Sequence, residues 1–497
     1  MMEPGAIDQR MAASTGNDET GHDPAGTAGI ARQVADARAV FNSGVTRPLT
    51  WRLEQLKAMN TMLVEHQDDF AAALAVDLGK HPSESWLTEI GFLTAEISHT
   101  IKHLAQWLAP RKSAMPVAMQ PGKAFVVLDP LGVVLVIAPW NYPIQLLLAP
   151  VIGALAAGNT VVAKPSELAP ASSAALARWV PEYLGGSVTI VEGGVPETTA
   201  LLAERFDHIF YTGNGRVGRI VMAAAAKNLT PVTLELGGKS PVYIDDTVNI
   251  RTAAQRIAWG KYINAGQTCV APDYVLGTAG ALAKLADALP EAIKSLYGDQ
   301  PQRSAEYGRI INAGAHARVA GLLAADLADR GNGSLVTGGE VDADSRYIAP
   351  TVLHVDAGSA LMQEEIFGPV LPLVTVTSAD EAIDFINERD KPLALYVFSE
   401  DEGVRAAFTE RTSSGGLAFG VPVAHLTVPG LPFGGVGASG MGGYHGKYSI
   451  DTFSHHKAVM DKPLSPDTLA MIYPPFGAIK RQVIKRLVAP TKKFSRG

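Results

Sequence analysis

Between residues 133 and 236, short apolar runs alternate with helix-length segments. The runs at 133–138, 160–163, 187–191, 208–211 and 232–236 carry almost no polar alternation, which predicts strands buried on both faces. The intervening segments 144–157, 171–184, 197–204 and 217–227 predict helices. Repeated strand–helix–strand units of this length predict a parallel sheet with helices on both sides. Two helical stretches precede them. In the second, Trp86, Ile90, Leu93, Ile97, Ile101, Leu104 and Leu108 step by three or four residues as one apolar stripe, and Pro110 ends it. Pro116, Pro121-Gly122 and the apolar run 125–128 predict a hairpin over 113–129.

Open parallel sheets bind ligands beyond the carboxyl ends of their strands, so the turns there carry the candidate chemistry. Pro139-Trp140-Asn141 follows the first run, and Lys164-Pro165-Ser166-Glu167 the second. After the fourth comes Thr212-Gly213-Asn214-Gly215-Arg216-Val217-Gly218. The last is literally G-x-G-x-x-G between a strand and a helix, whose free N–H groups favour an anion. It sits in the fourth unit, whereas the standard dinucleotide fingerprint sits in the first. Lys164 and Glu167 offer a charged donor and an acceptor for ribose hydroxyls, or a surface ion pair.

Length changes the picture: 497 residues exceed what one hydrophobic core organises, so two or more domains are expected. A net charge of −7 gives no overall footprint for nucleic acid. The last stretch alone is basic, with Lys480, Arg481, Lys485, Arg486, Lys492, Lys493 and Arg496 and no acid, as a solvated amphipathic end would have. Residues 1–30 are polar and rich in Gly, Ala and Thr, which predicts a disordered extension. Residues 130–163 hold no charge, yet Pro139, Pro143 and Pro150 interrupt them, so a buried strand and helix explain the run better than a membrane span. Together with a single cysteine, this predicts a cytoplasmic protein. That residue, Cys269, lies in N-A-G-Q-T-C-V-A-P and can form neither an internal disulfide nor a thiolate metal site. Gly266, Gln267 and Thr268 describe a polar turn around it. His445, His455 and His456 lack partners at metal-ligand spacing and read as surface or interface histidines.

Several segments together resemble the aldehyde dehydrogenase superfamily: E-L-G-G-K-S-P at 235–241, G-Q-T-C at 266–269, E-E-I-F-G-P at 364–369, P-W-N and L-P-F-G-G-V-G. The run M-G-G-Y-H-G-K-Y-S-I-D-T-F-S-H at 441–455 is similar to the class 3 branch, which acts on aromatic and medium- to long-chain aldehydes. The resemblance implies an α/β fold with three parts. These are a Rossmann-like NAD(P)-binding domain (31–112 and 130–236), a catalytic α/β domain (237–424) and a small β oligomerisation arm (113–129 and 443–463). Residues 464–497 form the basic tail. A homodimer is implied as well. The family's cofactor turn is the one after the fourth strand, which accounts for the displaced glycines.

The resemblance further implies Cys269 as nucleophile, with the Asn141 amide and the Cys269 backbone N–H as oxyanion donors and Glu235 as the general base. Cofactor contacts fall on Trp140, Lys164, Glu167, Gly213, Asn214, Gly218, Leu236, Gly237, Glu365 and Phe367. Glu167 would repel a 2′-phosphate and so favours NAD, although class 3 relatives often accept NADP too. Trp86, Tyr142 and Phe419 are candidates for the substrate tunnel. Two other readings stand beside this one. In a CoA-acylating dehydrogenase a thiol would resolve the thioester, which Glu235 argues against; a non-catalytic cofactor-binding protein could have dispensed with Cys269, Asn141 and Glu235.

Overall fold

The computed structural model describes residues 29–116, 119–330 and 335–488. Its first sheet has six strands in the order Gly440–Met441, Val232–Leu236, His208–Gly213, Val133–Ile137, Thr160–Lys164 and Val188–Ile190. The last five are mutually parallel, as the alternation predicts. Val133–Ile137 and Thr160–Lys164 are buried at every position, which is why both read as uninterrupted apolar runs. The helices Gln145–Ala157, Pro170–Leu184, Val195–Ala203 and Gly215–Ala226 connect them. Gln145–Ala157 is buried throughout, the charge-free stretch of the sequence. Among the described residues no helix is long and apolar enough to cross a membrane.

The edge strand Gly440–Met441 is the exception, coming from far along the chain and pairing antiparallel with Gly440 opposite Glu235. A Cβ on Gly440, at φ +142°, would meet the Leu234 carbonyl oxygen at 2.1 Å, so only glycine fits this return.

The N-terminal region departs from the expected two stretches. Three helices, Ile30–Asn42, Leu49–Glu65 and Gln67–Leu78, precede the striped one, separated at Pro48, at a kink at His66 and at the left-handed Gly79. The striped helix itself is interrupted: Pro82–Ser85 passes into a π-helical turn, Trp86–Ile90, before Gly91–Trp107 continues as α-helix. Ile90, Leu93, Ile97 and Leu104 are buried, but Trp86 is 43% exposed. The extra residue of the π turn rotates everything before it out of phase with the stripe.

A second sheet has seven strands in the order Leu335–Thr337, Thr351–His354, Val370–Thr375, Tyr274–Gly277, Pro241–Ile244, Ala394–Phe398 and Gly416–Phe419, parallel except for the first. A third, three-stranded and antiparallel, joins Arg111–Ser113, Lys123–Pro130 and Ser454–Asp461. Of the extension expected at 1–30, residues 1–28 lie outside the described residues, as do the basic residues Lys492, Lys493 and Arg496, while Ile30 already opens the first helix. Lys480, Arg481 and Lys485 fall on the helix Ala478–Val488.

Candidate active site

Backbone register brings the candidate turns to one edge. Leu234, Tyr211, Ile137 and Lys164 form one cross-sheet row, and Glu235 lies one residue beyond it. Asn141 follows the end of Val133–Ile137. Cys269 comes from the other side, on the turn between the helix Ile250–Tyr262 and the strand Tyr274–Gly277.

That turn is strained and tightly held. Asn264 and Ala265 have φ of 53° and 52°, left-handed values that non-glycine residues seldom adopt. The Gln267 side chain secures them, donating to the Asn264 and Arg309 carbonyls at 3.0 Å each and accepting from Ile311 N at 2.9 Å. Asn264 Nδ2 donates to the Asn141 carbonyl at 2.8 Å, and Asn141 Nδ2 donates to the Gln267 carbonyl at 3.1 Å, so the two turns grip each other. Tyr142 Oη and Thr268 Oγ1 are 2.6 Å apart. A Cβ on Gly266 would meet the Gly368 carbonyl oxygen at 2.4 Å, a clearance that lets the segment around Glu365 and Phe367 approach.

This segment is held by groups that motif reading missed. Lys239 Nζ donates to the carbonyls of Leu361 (2.7 Å) and Glu364 (2.9 Å) and pairs with Asp273, which also accepts from Ile366 N at 3.1 Å. An Arg318 N–H donates to the Ile366 carbonyl at 2.6 Å. Phe367 has φ 47°, and its ring meets that of Trp140 edge-on at 5.4 Å. Lys239 and Asp273 stand out in sequence as charges at the starts of two buried strands, the kind of position that needs a partner.

The electrostatics of the site favour a cation. The carboxylate oxygens of Glu235 are both buried without a hydrogen-bond partner, and burial raises this carboxyl well above its ordinary range. Burial, then the charges of Glu365 and Glu235, pushes the Cys269 thiol up to about 12; its own N–H and that of Val270 face the sulfur and oppose the rise. Burial, then Asp273, pushes Glu365 up to about 8. Three groups that shed protons thus crowd together, and a positive ring placed among them would ease the ionisation of all three. An oxidised nicotinamide fits that requirement.

At the outer end of the sheet, Lys164 Nζ and Glu167 Oε2 form an ion pair at 2.6 Å, the lysine buried and the glutamate half exposed. Asn214 caps the helix Gly215–Ala226, its Oδ1 accepting from Val217 N at 3.0 Å. The three glycines of the turn differ in purpose. A Cβ on Gly213 would strike Tyr211 Oη at 2.2 Å, and one on Gly218 the Leu236 side chain at 2.9 Å; at Gly215 only the Arg219 side chain is near. A Cβ on Gly237 would meet Glu365 Oε2 at 2.1 Å, so Leu236 and Gly237 lie between the glycine turn and Glu365.

Of the tunnel candidates, Tyr142 is buried beside the Cys269 turn, whereas Trp86 is half exposed with its ring folded over Gly91. Phe419 lies under Arg405 and lines a separate surface cavity of about 340 Å³ with Val248 and Arg256. His445 is 3% exposed, not a surface residue as expected: its ring packs among Phe92, Phe433 and Tyr444. His456 pairs with Asp451 at 3.1 Å. Among the described residues no group of three or more His, Cys, Asp or Glu side chains could hold a metal ion.

A doubly wound sheet whose carboxyl edge faces a part-buried thiol and a buried, unpartnered carboxylate fits a cofactor-dependent dehydrogenase. The family model "Aldehyde dehydrogenase family" matches residues 12–459. The dimeric NADP-preferring aldehyde dehydrogenase of Canis lupus familiaris is 48% identical over 449 residues, 90% of this chain and 98% of that protein. Aldehyde dehydrogenase family 3 member A2 of Mus musculus is 46% identical, over 94% of this chain and 95% of its own. The substrate-bound structure of Staphylococcus aureus AldH superposes with a TM-score of 0.88 at 44% identity, covering 92% of this chain and 98% of that one. The chain belongs to the aldehyde dehydrogenase family, and its activity is the NAD(P)-dependent oxidation of an aldehyde.

Proposed function

We propose that Cys269 is the nucleophile of this oxidation and that water, activated by Glu235, releases a free carboxylic acid. The observation that carries the reading is the Glu235 carboxylate, buried beside Cys269 with neither oxygen engaged. Burial pushes the Cys269 thiol up to about 12, so it needs a base to take its proton, and burial also makes the Glu235 carboxylate a stronger base than an exposed one.

The Cys269 sulfur, its proton passed to Glu235, adds to the aldehyde carbon and gives a thiohemiacetal whose oxygen is anionic. One Asn141 amide hydrogen is engaged by the Gln267 carbonyl, which leaves the second for that oxygen, beside the Cys269 backbone N–H. Collapse of the thiohemiacetal restores a carbonyl as a thioester. A nicotinamide held beside Glu365 would supply the hydride acceptor. Glu235 releases the first proton to solvent and then takes one from the water that attacks the thioester; the acid leaves, and that second proton passes from Glu235 to the Cys269 sulfur, which restores the thiol. Glu365 would hold the nicotinamide ribose hydroxyls, Phe367 and Trp140 would border the ring, and Leu236 and Gly237 its approach. Lys164 and Glu167 would take the adenosine ribose, while Gly213, Asn214 and Gly218 would shape the pyrophosphate turn.

Tyr142, Phe92, Phe433 and Tyr444 favour an aromatic or medium- to long-chain aliphatic aldehyde, since Tyr444 is electrostatically coupled to both Cys269 and Glu235. Both NAD and NADP are accepted in this reading, because the charge of the partly exposed Glu167 is already countered by Lys164 at 2.6 Å. The chain assembles as a homodimer through the three-stranded sheet, and its place is the cytoplasm.

The test is aldehyde-dependent reduction of each cofactor in Cys269→Ala and Glu235→Gln. Each variant is expected to lose on the order of 10³-fold or more in kcat while still binding cofactor. An active Cys269→Ala protein overturns the reading. Product formed only when coenzyme A is added, as its acyl thioester, points to thiol resolution instead.

A further inference from the structure

Among the described residues, a fully buried ion pair lies behind Asn141. Lys80 and Glu89 are paired at 2.5 Å, and both side chains are 0% exposed. An ammonium has three N–H groups, and here each has a destination. One meets Glu89 Oε1, one the Asn141 carbonyl at 3.1 Å, and the Nζ stands 3.9 Å from the centre of the Tyr142 ring. The other Glu89 oxygen accepts from Ile144 N (2.9 Å) and Gln145 N (3.2 Å), the opening of the helix Gln145–Ala157. One ion pair therefore grips the Asn141 turn from its carbonyl and from the helix that follows it. Glu84 holds the opposing turn, its Oε1 accepting from Asn264 N at 2.9 Å.

What lets Glu84 and Glu89 act together is the π turn. On a regular α-helix, residues five apart point about 140° away from one another. Across Trp86–Ile90 the hydrogen bonds span five residues, with Gly91 N donating to Trp86 O, and the two carboxylates come to the same side. Straightening the turn would carry one of them off the site.

We propose that Lys80 and Glu89, set by this π turn, are positioning residues that fix Asn141 as the oxyanion donor for acylation of Cys269. The proposal rests on the assignment of Asn141 given above. Lys80 and Glu89 do not touch the reacting atoms. They hold the Asn141 backbone so that its free amide hydrogen points to the developing oxyanion, and a displacement of about 1 Å can cost on the order of 10²-fold in rate.

The experiment compares Glu89→Gln, the double variant Lys80→Met/Glu89→Gln and Asn141→Ala in the full-length enzyme. The double variant leaves no unpaired buried charge, and it carries the test if the single one does not fold. The expected result is a loss of kcat of about 10- to 100-fold, with hydride transfer becoming rate-limiting, seen as a larger primary isotope effect with a deuterated aldehyde. Cofactor Kd and the rate at which iodoacetamide alkylates Cys269 are expected to stay at wild-type values. Since Cys269 is the only thiol, that rate reads one site. Wild-type kcat in the double variant overturns the proposal, as does a parallel fall of kcat, alkylation rate and cofactor affinity, which would mark general loosening. If Asn141→Ala keeps its kcat, the oxyanion assignment itself is wrong, an outcome distinct from failure of the positioning role.

Discussion

Glu235 is a carboxyl whose surroundings oppose its charge. Burial raises its pKa, so the stability it contributes is full below the ordinary carboxylate value of about 4.3 and is lost as pH climbs through the raised one. Glu235→Gln should therefore melt progressively higher than the parent as pH increases from about 5 to 9. Melting curves across that range check this, and a difference that stays flat with pH would refute it. Activity should run the opposite way, rising with pH in the parent as Glu235 ionises and losing that limb in the variant. The same residue that strains the fold at alkaline pH is the one the proposed reaction needs charged. Sequence could locate Glu235 and Cys269 through their motifs. It could not reveal that neither oxygen of the glutamate is engaged, because that depends on the absence of neighbours from many segments.

At the level of the element, the five parallel strands were readable because strands buried on both faces leave contiguous apolar runs. The striped helix was readable only from Ile90 onward, since a periodicity argument assumes one pitch and the π turn breaks it before that point. Lys80 and Glu89 escaped notice for the same reason, although a charge abutting an apolar stripe is a signal that could have been followed. The glycine turn gives a sharper lesson. Its literal G-x-G-x-x-G conflates two residues that the packing requires with one that it does not. Gly218→Ala should cost about 1–3 kcal/mol by forcing Leu236 aside. Gly215→Ala, at the first turn of a helix with only a flexible arginine nearby, should be neutral or stabilise by up to about 1 kcal/mol. Urea denaturation of the two variants tests the contrast, and equal losses would mean that the turn responds to ligand geometry and not to protein packing.

For the whole molecule, the three-stranded sheet leaves Ser454–Asp461 with a single neighbour, Lys123–Pro130, and six of its eight side chains exposed. An edge of that kind invites a further strand. Light scattering of the purified chain should give twice its mass, and Met460→Glu, at a side chain 55% exposed on that strand, should shift the mass toward the single chain without lowering the rate of Cys269 alkylation. A monomeric parent would remove the assignment of this sheet to assembly. The strand–helix alternation came through in the sequence, but the return of the chain to the first sheet did not: Gly440–Met441 is too short to leave a pattern and pairs with a strand some two hundred residues earlier.

That return sets an order in time. Synthesis delivers Glu235 first, then Cys269, and the glycine strand that lies against Glu235 only near the end. A ribosome that has released both Glu235 and Cys269 has still not released the strand that edges the sheet of Glu235. About a third of the chain, from residue 269 to residue 440, is made while the one thiol is already out and Glu235 still lacks its edge strand.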